Sequence, residues 1–210
     1  MTHTDHSEKM LFMRVFTTVL ILIFSLQSWT KADDIKNFEI EGISVGDSLL
    51  DYMSQTEIIN NDANCYHSSS KFICINYPGE KNIYEFLYLY VKRNDKKYKI
   101  YLLRAANFVD NKNSCLETKK QIVKEMKSLF TNATTQEGSQ KHYFYKKSTQ
   151  YISQFYYGLD GRFSDGARAE CLIIHEEDQK KFGVNSTLEV IIQYGEEFGR
   201  WLETDDAQPS

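Results

Sequence analysis

Between Ile83 and Arg104 the chain alternates with a period of two, and little other than a β-hairpin accommodates that pattern. Leu87, Leu89 and Val91 fall on one side of an extended segment, with Tyr84, Phe86, Tyr88 and Tyr90 on the other, because successive side chains of a strand point to opposite faces. Arg93-Asn94-Asp95-Lys96 supplies a turn, and Tyr98 to Arg104 is the returning strand. The same alternation predicts a strand in which Ile73, Ile75 and Tyr77 oppose Phe72, Cys74 and Asn76, stopped by Pro78-Gly79. Further strands are expected over His142–Lys146, Ile152–Tyr157, Arg168–His175 and Leu188–Tyr194. Gly158, Gly161, Gly166 and Gly183 mark turns between them. A short strand over Phe38–Ile43 runs into the turn at Gly42 to Gly46.

Helical signals are fewer. Asp47 or Ser48 can cap a brief helix through Met53, and Ser54-Gln55-Thr56-Glu57 has the residues of a capping box opening a second short one. Ser114-Cys115-Leu116-Glu117 repeats that signature. After it Ile122, Val123, Met126, Leu129 and Phe130 recur at helical spacing with lysines and glutamates on the far side, the stripe of a helix laid on a sheet. The polar stretch Thr131–Gln140 reads as a loop. The fold class expected is therefore α+β: a mostly antiparallel sheet with two short N-terminal helices and one longer central amphipathic helix, the helices on one face.

An uncharged run from Val15 to Gln27 lies behind Lys9 and Arg14 and ahead of Thr30-Lys31-Ala32. That layout is the one of a secretory signal peptide cleaved after Ala32. Spanning a bilayer takes roughly 20 apolar residues, and this run is shorter and broken by Thr17, Thr18, Ser25 and Gln27. The expected organisation is a signal peptide over 1–32, one domain over 33–203 and a polar tail over 204–210. No stable membrane span remains after cleavage, and an uncleaved inner-membrane anchor is the alternative. All four cysteines, Cys65, Cys74, Cys115 and Cys171, follow the leader, and an even count in an exported chain suggests two structural disulfides. With Ser69-Ser70 at the centre of a turn, Cys65 falls opposite Cys74, which leaves Cys115 with Cys171, a bond from a helix start to a later strand.

The formal net charge of −4 comes without a basic block, so there is no electrostatic footprint for nucleic acid or for an anionic membrane surface. Cys65, His67 and Cys74 provide three of the four ligands that a closed zinc site needs, and no metal or other cofactor is expected. Catalytic motifs are absent as well. The acidic run His175-Glu176-Glu177-Asp178 lacks the second histidine of a zincin helix and reads as a solvated strand end; together with Asp160 it is the location an enzyme would use. A binding role rests instead on the aromatic residues Tyr84, Phe86, Tyr88, Tyr90 and Tyr101, concentrated on one hairpin. Tyrosine buries large area yet keeps a polar handle, which suits a face that meets a partner.

The segment Lys31-Ala32-Asp33-Asp34-Ile35 through Asp51-Tyr52, with the Cys115 helix, Cys171 and the ending Glu197-Phe198-Gly199-Arg200-Trp201-Leu202, resembles small exported proteins of unknown function from streamlined marine alphaproteobacteria. That resemblance implies a compartment and no activity. Two short helices followed by strands, with Gly42-Ile43-Ser44-Val45-Gly46-Asp47-Ser48 leading in, are similar to the fold shared by β-lactamase inhibitor proteins and small outer-membrane assembly factors. This second resemblance implies a protein-binding module, although the lipidated cysteine of the assembly factors is missing and the middle helix is extra. The resulting expectation is a periplasmic or secreted, non-catalytic binding module whose partner is another periplasmic or envelope protein.

Overall fold

In the computed structural model the described residues are 35–63, 71–78, 83–157 and 165–202. The leader, Cys65 with the Ser69-Ser70 turn, Asp160 with the Gly158–Gly161 turn, and the tail lie outside them. The chain is α+β, with most of its strands in one antiparallel sheet. Among the described residues that sheet has eight strands: β3 (Asp62–Ala63), β4 (Phe72–Asn76), β5 (Phe86–Lys92), β6 (Ile100–Phe108), β7 (Thr134–Lys141), β8 (Thr149–Tyr156), β9 (Gly166–Ile173) and β10 (Thr187–Gln193). A separate two-stranded hairpin, β1 (Glu39–Ile40) and β2 (Ile43–Ser44), turns at Glu41-Gly42, both with positive φ. The described residues also form four α-helices: α1 (Gln55–Asn60), α2 (Lys112–Leu129), α3 (Glu176–Phe182) and α4 (Glu196–Trp201).

The strand order β3-β4-β5-β6-β10-β9-β8-β7 describes two four-stranded meanders, each preceded by a helix. They meet at β6 and β10, which pair from Thr187 with Phe108 to Gln193 with Leu102. The chain therefore enters the sheet at one edge, reaches the centre, crosses to the far edge and returns. β6 and β7 run in the same direction four strand spacings apart, about 19 Å, so the link between them must travel back along the sheet. At 18 residues α2 has a length of about 27 Å and makes that return.

α2 lies over β9 and β10. Cys115, Lys119, Val123 and Met126 form its buried stripe, and the small residues Ala105, Ala167 and Ala169 beneath leave room for it. The predicted capping box at Ser114 is displaced: the helix begins three residues earlier, where the Asn111 side chain accepts a hydrogen bond from the Ser114 amide at 3.0 Å. The capping box at Ser54 forms as expected, with the Glu57 amide donating to Ser54 Oγ and the Ser54 amide donating to the Glu57 carboxylate. The turn before it, Leu49–Asp51, is a 3-10 helix.

The sequence reading needs four corrections. Most of Thr131–Gln140, expected as a loop, belongs to strand β7 (Thr134–Lys141), every residue of which is exposed; an edge strand buries nothing of its own, so it has no apolar alternation to read. His142–Lys146, expected as a strand, is a connection folded back by hydrogen bonds from the Phe144 and Tyr145 amides to His142 Nδ1. His175 is the N-cap of α3 rather than a strand end. The helices also occupy both faces. Phe198 and Trp201 of α4 pack with Phe72, Cys74, Tyr90, Leu102 and Ile191, whose register puts them opposite the α2 side.

The Cys115–Cys171 disulfide is present, with Cα atoms 6.0 Å apart and a sequence separation of 56. Cys74 is also disulfide-bonded; its expected partner Cys65 is outside the described residues. By chain entropy, closing a loop as long as the Cys115–Cys171 one is worth about 4 kcal/mol. Replacing both cysteines by alanine is expected to lower the unfolding free energy by up to that amount, measured by denaturant titration, with the sheet retained by circular dichroism. Phe198→Ala, which empties a fully buried site, is expected to cost about 3–5 kcal/mol in the same titration.

Candidate functional site

Charged residues rarely enter the interior of a strand unless something pairs with them, yet three neighbouring strands of this sheet each carry one or two. Arg104 lies among Leu102, Leu103 and Ala105 of β6, Glu189 among the apolar residues of β10, and Arg168 and Glu170 in β9. The register brings them together on the face opposite α2. Arg104 and Arg168 both lie across from Ile191, and Glu189 lies directly across from Glu170.

Arg104 grips Glu189 in a bidentate fork, Nε to Oε2 at 2.8 Å and Nη2 to Oε1 at 2.7 Å. The Thr187 hydroxyl donates to the same carboxylate at 2.7 Å. Glu189 is 1% exposed. Burial alone would raise its pKa; the Arg104 charge and hydrogen bonds, with the Thr187 hydroxyl, outweigh burial and hold it below the ordinary carboxylate value. Arg104 keeps its proton, because Glu189 more than offsets the burial that opposes its charge. Glu170 has a different fate. It is 3% exposed, Gln150 donates to it at 3.3 Å, and Arg168 Nε approaches its Oε2 at 3.0 Å out of line for a hydrogen bond. Burial dominates here, and Glu170 sits above the usual carboxylate range with the nearby Glu189 charge adding to the effect.

Both arginines therefore rest on buried carboxylates while their side chains remain about one-third exposed, 31% for Arg104 and 36% for Arg168. An aromatic patch borders Arg104. Tyr88 is its direct cross-strand neighbour, Phe86 stacks on Tyr88 with ring centroids 6.0 Å apart, and Phe108 meets Phe86 edge-on at 5.0 Å. Gln150 and Gln154 of β8 continue the face on the other side of Arg168 and Glu170. At one end His142 stacks on Tyr145, within electrostatic reach of Glu189, Arg104 and Arg168, its pKa lowered chiefly by burial. Such a surface offers fixed planar cations for carboxylates or carbonyls of a partner beside rings for apolar contact.

The aromatic residues singled out in the sequence are divided among three places. Phe86 and Tyr88 lie half-buried on this face. Tyr90 is buried against Phe198 and Trp201 of α4, and Tyr101, carried to the same side by the irregularity in the β5–β6 register at Tyr90/Val91, packs on Phe72 and Phe198. Tyr84 packs against the α2-side core instead, and burial with the Glu41 charge pushes its phenol up to about 12. No single patch holds all five.

The acidic run is used to tie α3 to the β7–β8 connection. The His175 side chain accepts from the Glu177 amide at 3.2 Å, Glu177 pairs with Lys147 and Glu176 with Lys180. Asp178 accepts from the Ser148 hydroxyl at 2.6 Å and from the Lys147 and Ser148 amides at 3.0 and 2.9 Å, contacts that lower its pKa, the hydroxyl most. Among the described residues no group of three or more His, Cys, Asp or Glu side chains is arranged to hold a metal ion, and no helix is long and apolar enough to cross a membrane.

The Arg–Glu set could have been suspected from its pattern, since each member interrupts an apolar run at a position sharing the parity of its cross-strand neighbours. Its pairing could not. No family model, curated protein or solved structure matches the chain.

The raised Glu170 gives a pH test. The native state holds this proton more firmly than the unfolded chain, whose value is near 4.5, so its deprotonation destabilises the fold as pH rises from there through the native pKa. Glu170→Gln is expected to leave stability unchanged at pH 4 and to exceed the parent at pH 7, read as the difference between the two proteins' Tm profiles.

Proposed function

We infer that this chain is a non-catalytic, exported binding module that docks another periplasmic or envelope protein onto the face of its sheet carrying Arg104, Arg168, Phe86 and Tyr88. The carrying observation is the pair of arginines, each set against a buried carboxylate with its side chain about one-third exposed, and with stacked rings beside Arg104. Arginine and aromatic side chains dominate the energetic centres of protein interfaces, and anchoring removes much of the ordering cost that binding would otherwise incur.

Export is supported by the leader pattern and by the Cys115–Cys171 crosslink, which persists in oxidising compartments such as the periplasm. The resemblance read from the sequence to β-lactamase inhibitor proteins and outer-membrane assembly factors implies the same kind of task. The His175 cluster offers no comparable surface, because its side chains already serve the α3 cap and its ion pairs.

Affinity capture from periplasmic extract, followed by mass spectrometry, tests the reading when run on three proteins in parallel. The parent is expected to retain a reproducible partner, Lys120→Ser on the far face to retain it equally, and Phe86→Ser with Tyr88→Ser to weaken it about tenfold or more. A captured set indifferent to the Phe86 and Tyr88 substitutions would place binding elsewhere and defeat the proposal.

A further inference from the structure

The large sheet has two edges. At one, β3 is described over Asp62–Ala63, and natural proteins usually protect sheet edges against unwanted strand pairing. At the other, β7 runs for eight residues in unbroken register with β8, from Thr134 opposite Tyr156 to Lys141 opposite Thr149. It contains no proline and no bulge, all eight residues are exposed, and among the described residues no strand pairs with its outer side. Its central charge, Glu137, is drawn toward Lys127 of α2 at 2.8 Å.

Gly138 sits in the middle of this edge. It does not have a positive φ, and a Cβ built there would meet nothing within 4 Å. Neither the backbone nor the packing of the chain itself calls for glycine at that position, and glycine within a strand often marks close approach of another backbone.

We propose that β7 pairs antiparallel with β7 of a second copy of this chain, joining two eight-stranded sheets edge to edge about a two-fold axis through Gly138. An axis perpendicular to the sheet keeps opposed residues on one face. Centred on Gly138, it sets Gln136 opposite Gln140 of the second copy, Glu137 opposite Ser139 and Thr135 opposite Lys141, so no like charges meet and seven of the eight strand residues are used. Moving the axis to Glu137 would oppose two carboxylates, and moving it to Ser139 would shorten the overlap. A foreign peptide would need side-chain pockets for selection, and this edge presents only small or polar side chains. The inference is independent of the binding role given to the open face.

Sedimentation velocity on the purified chain at micromolar concentrations provides the test. The parent is expected to sediment as a dimer. The Q136K/Q140K variant places lysines opposite lysines twice across the axis and is expected to weaken the dimer about tenfold or more, with an unchanged circular dichroism spectrum. The Q136K/Q140E variant makes each opposed pair attractive and is expected to recover the parent's association. A monomeric parent, including one that accepts a foreign strand at this edge instead, overturns the proposal. So does a Q136K/Q140K protein that dimerises like the parent, or a Q136K/Q140E protein that does not recover.

Discussion

The pairing of β6 with β10 is the interaction on which the rest of the structure depends. Each meander by itself has only four strands, and β6 and β10 would be exposed edges if the halves separated. Their register, from Leu102 with Gln193 to Phe108 with Thr187, makes one sheet out of two and aligns the apolar residues of both halves under α2. Arg104 and Glu189 bridge the same seam from the other side. Breaking one partner of a buried charge pair leaves the other uncompensated, a penalty well above the net value of the pair. The seam is therefore held by apolar burial on one face and tolerates little misregister on the other.

That division of labour explains the asymmetry of the faces. The α2 side is filled continuously, from Val123 and Met126 to Leu103, Ala169 and Ile192, and the Cys115–Cys171 bond pins the helix to β9 there. The opposite side is covered at one end by Phe198 and Trp201 of α4 and at another by the connection that Asp178 holds through Ser148. Between these lies the charged and aromatic strip. Its residues are half-exposed because no described element crosses them, and their carboxylates are buried because strand neighbours crowd around short acidic stems.

Local chemistry was legible wherever one residue's environment is set by its near neighbours in sequence. The Leu87-Leu89-Val91 alternation gave a strand, Ser54 with Glu57 a helix start, and the Ile122 to Phe130 stripe a helix on a sheet. Strand β7 was illegible for the same reason: its Thr, Gln, Ser and Lys side chains all face water, and what makes it a strand is the backbone of β8. The α3 cap at His175 was missed because the residues that reward it, Lys147 and Ser148, are about thirty positions away. Tyr84 left the aromatic face because its ring found the α2-side core, where alternation alone would not send it.

Composition and pattern by themselves determined an antiparallel α+β chain with a long amphipathic helix, since periodicity and parity act over a few residues at a time, and the turn placing Cys65 opposite Cys74 left Cys115 for Cys171. Only the tertiary structure decided which strands lie side by side, that α4 covers the face away from α2, and that Arg104, Arg168, Glu170 and Glu189 converge. Those outcomes depend on contacts such as Phe72 with Trp201, 129 positions apart, and such contacts are chosen by how whole surfaces bury one another, which no short window of sequence records.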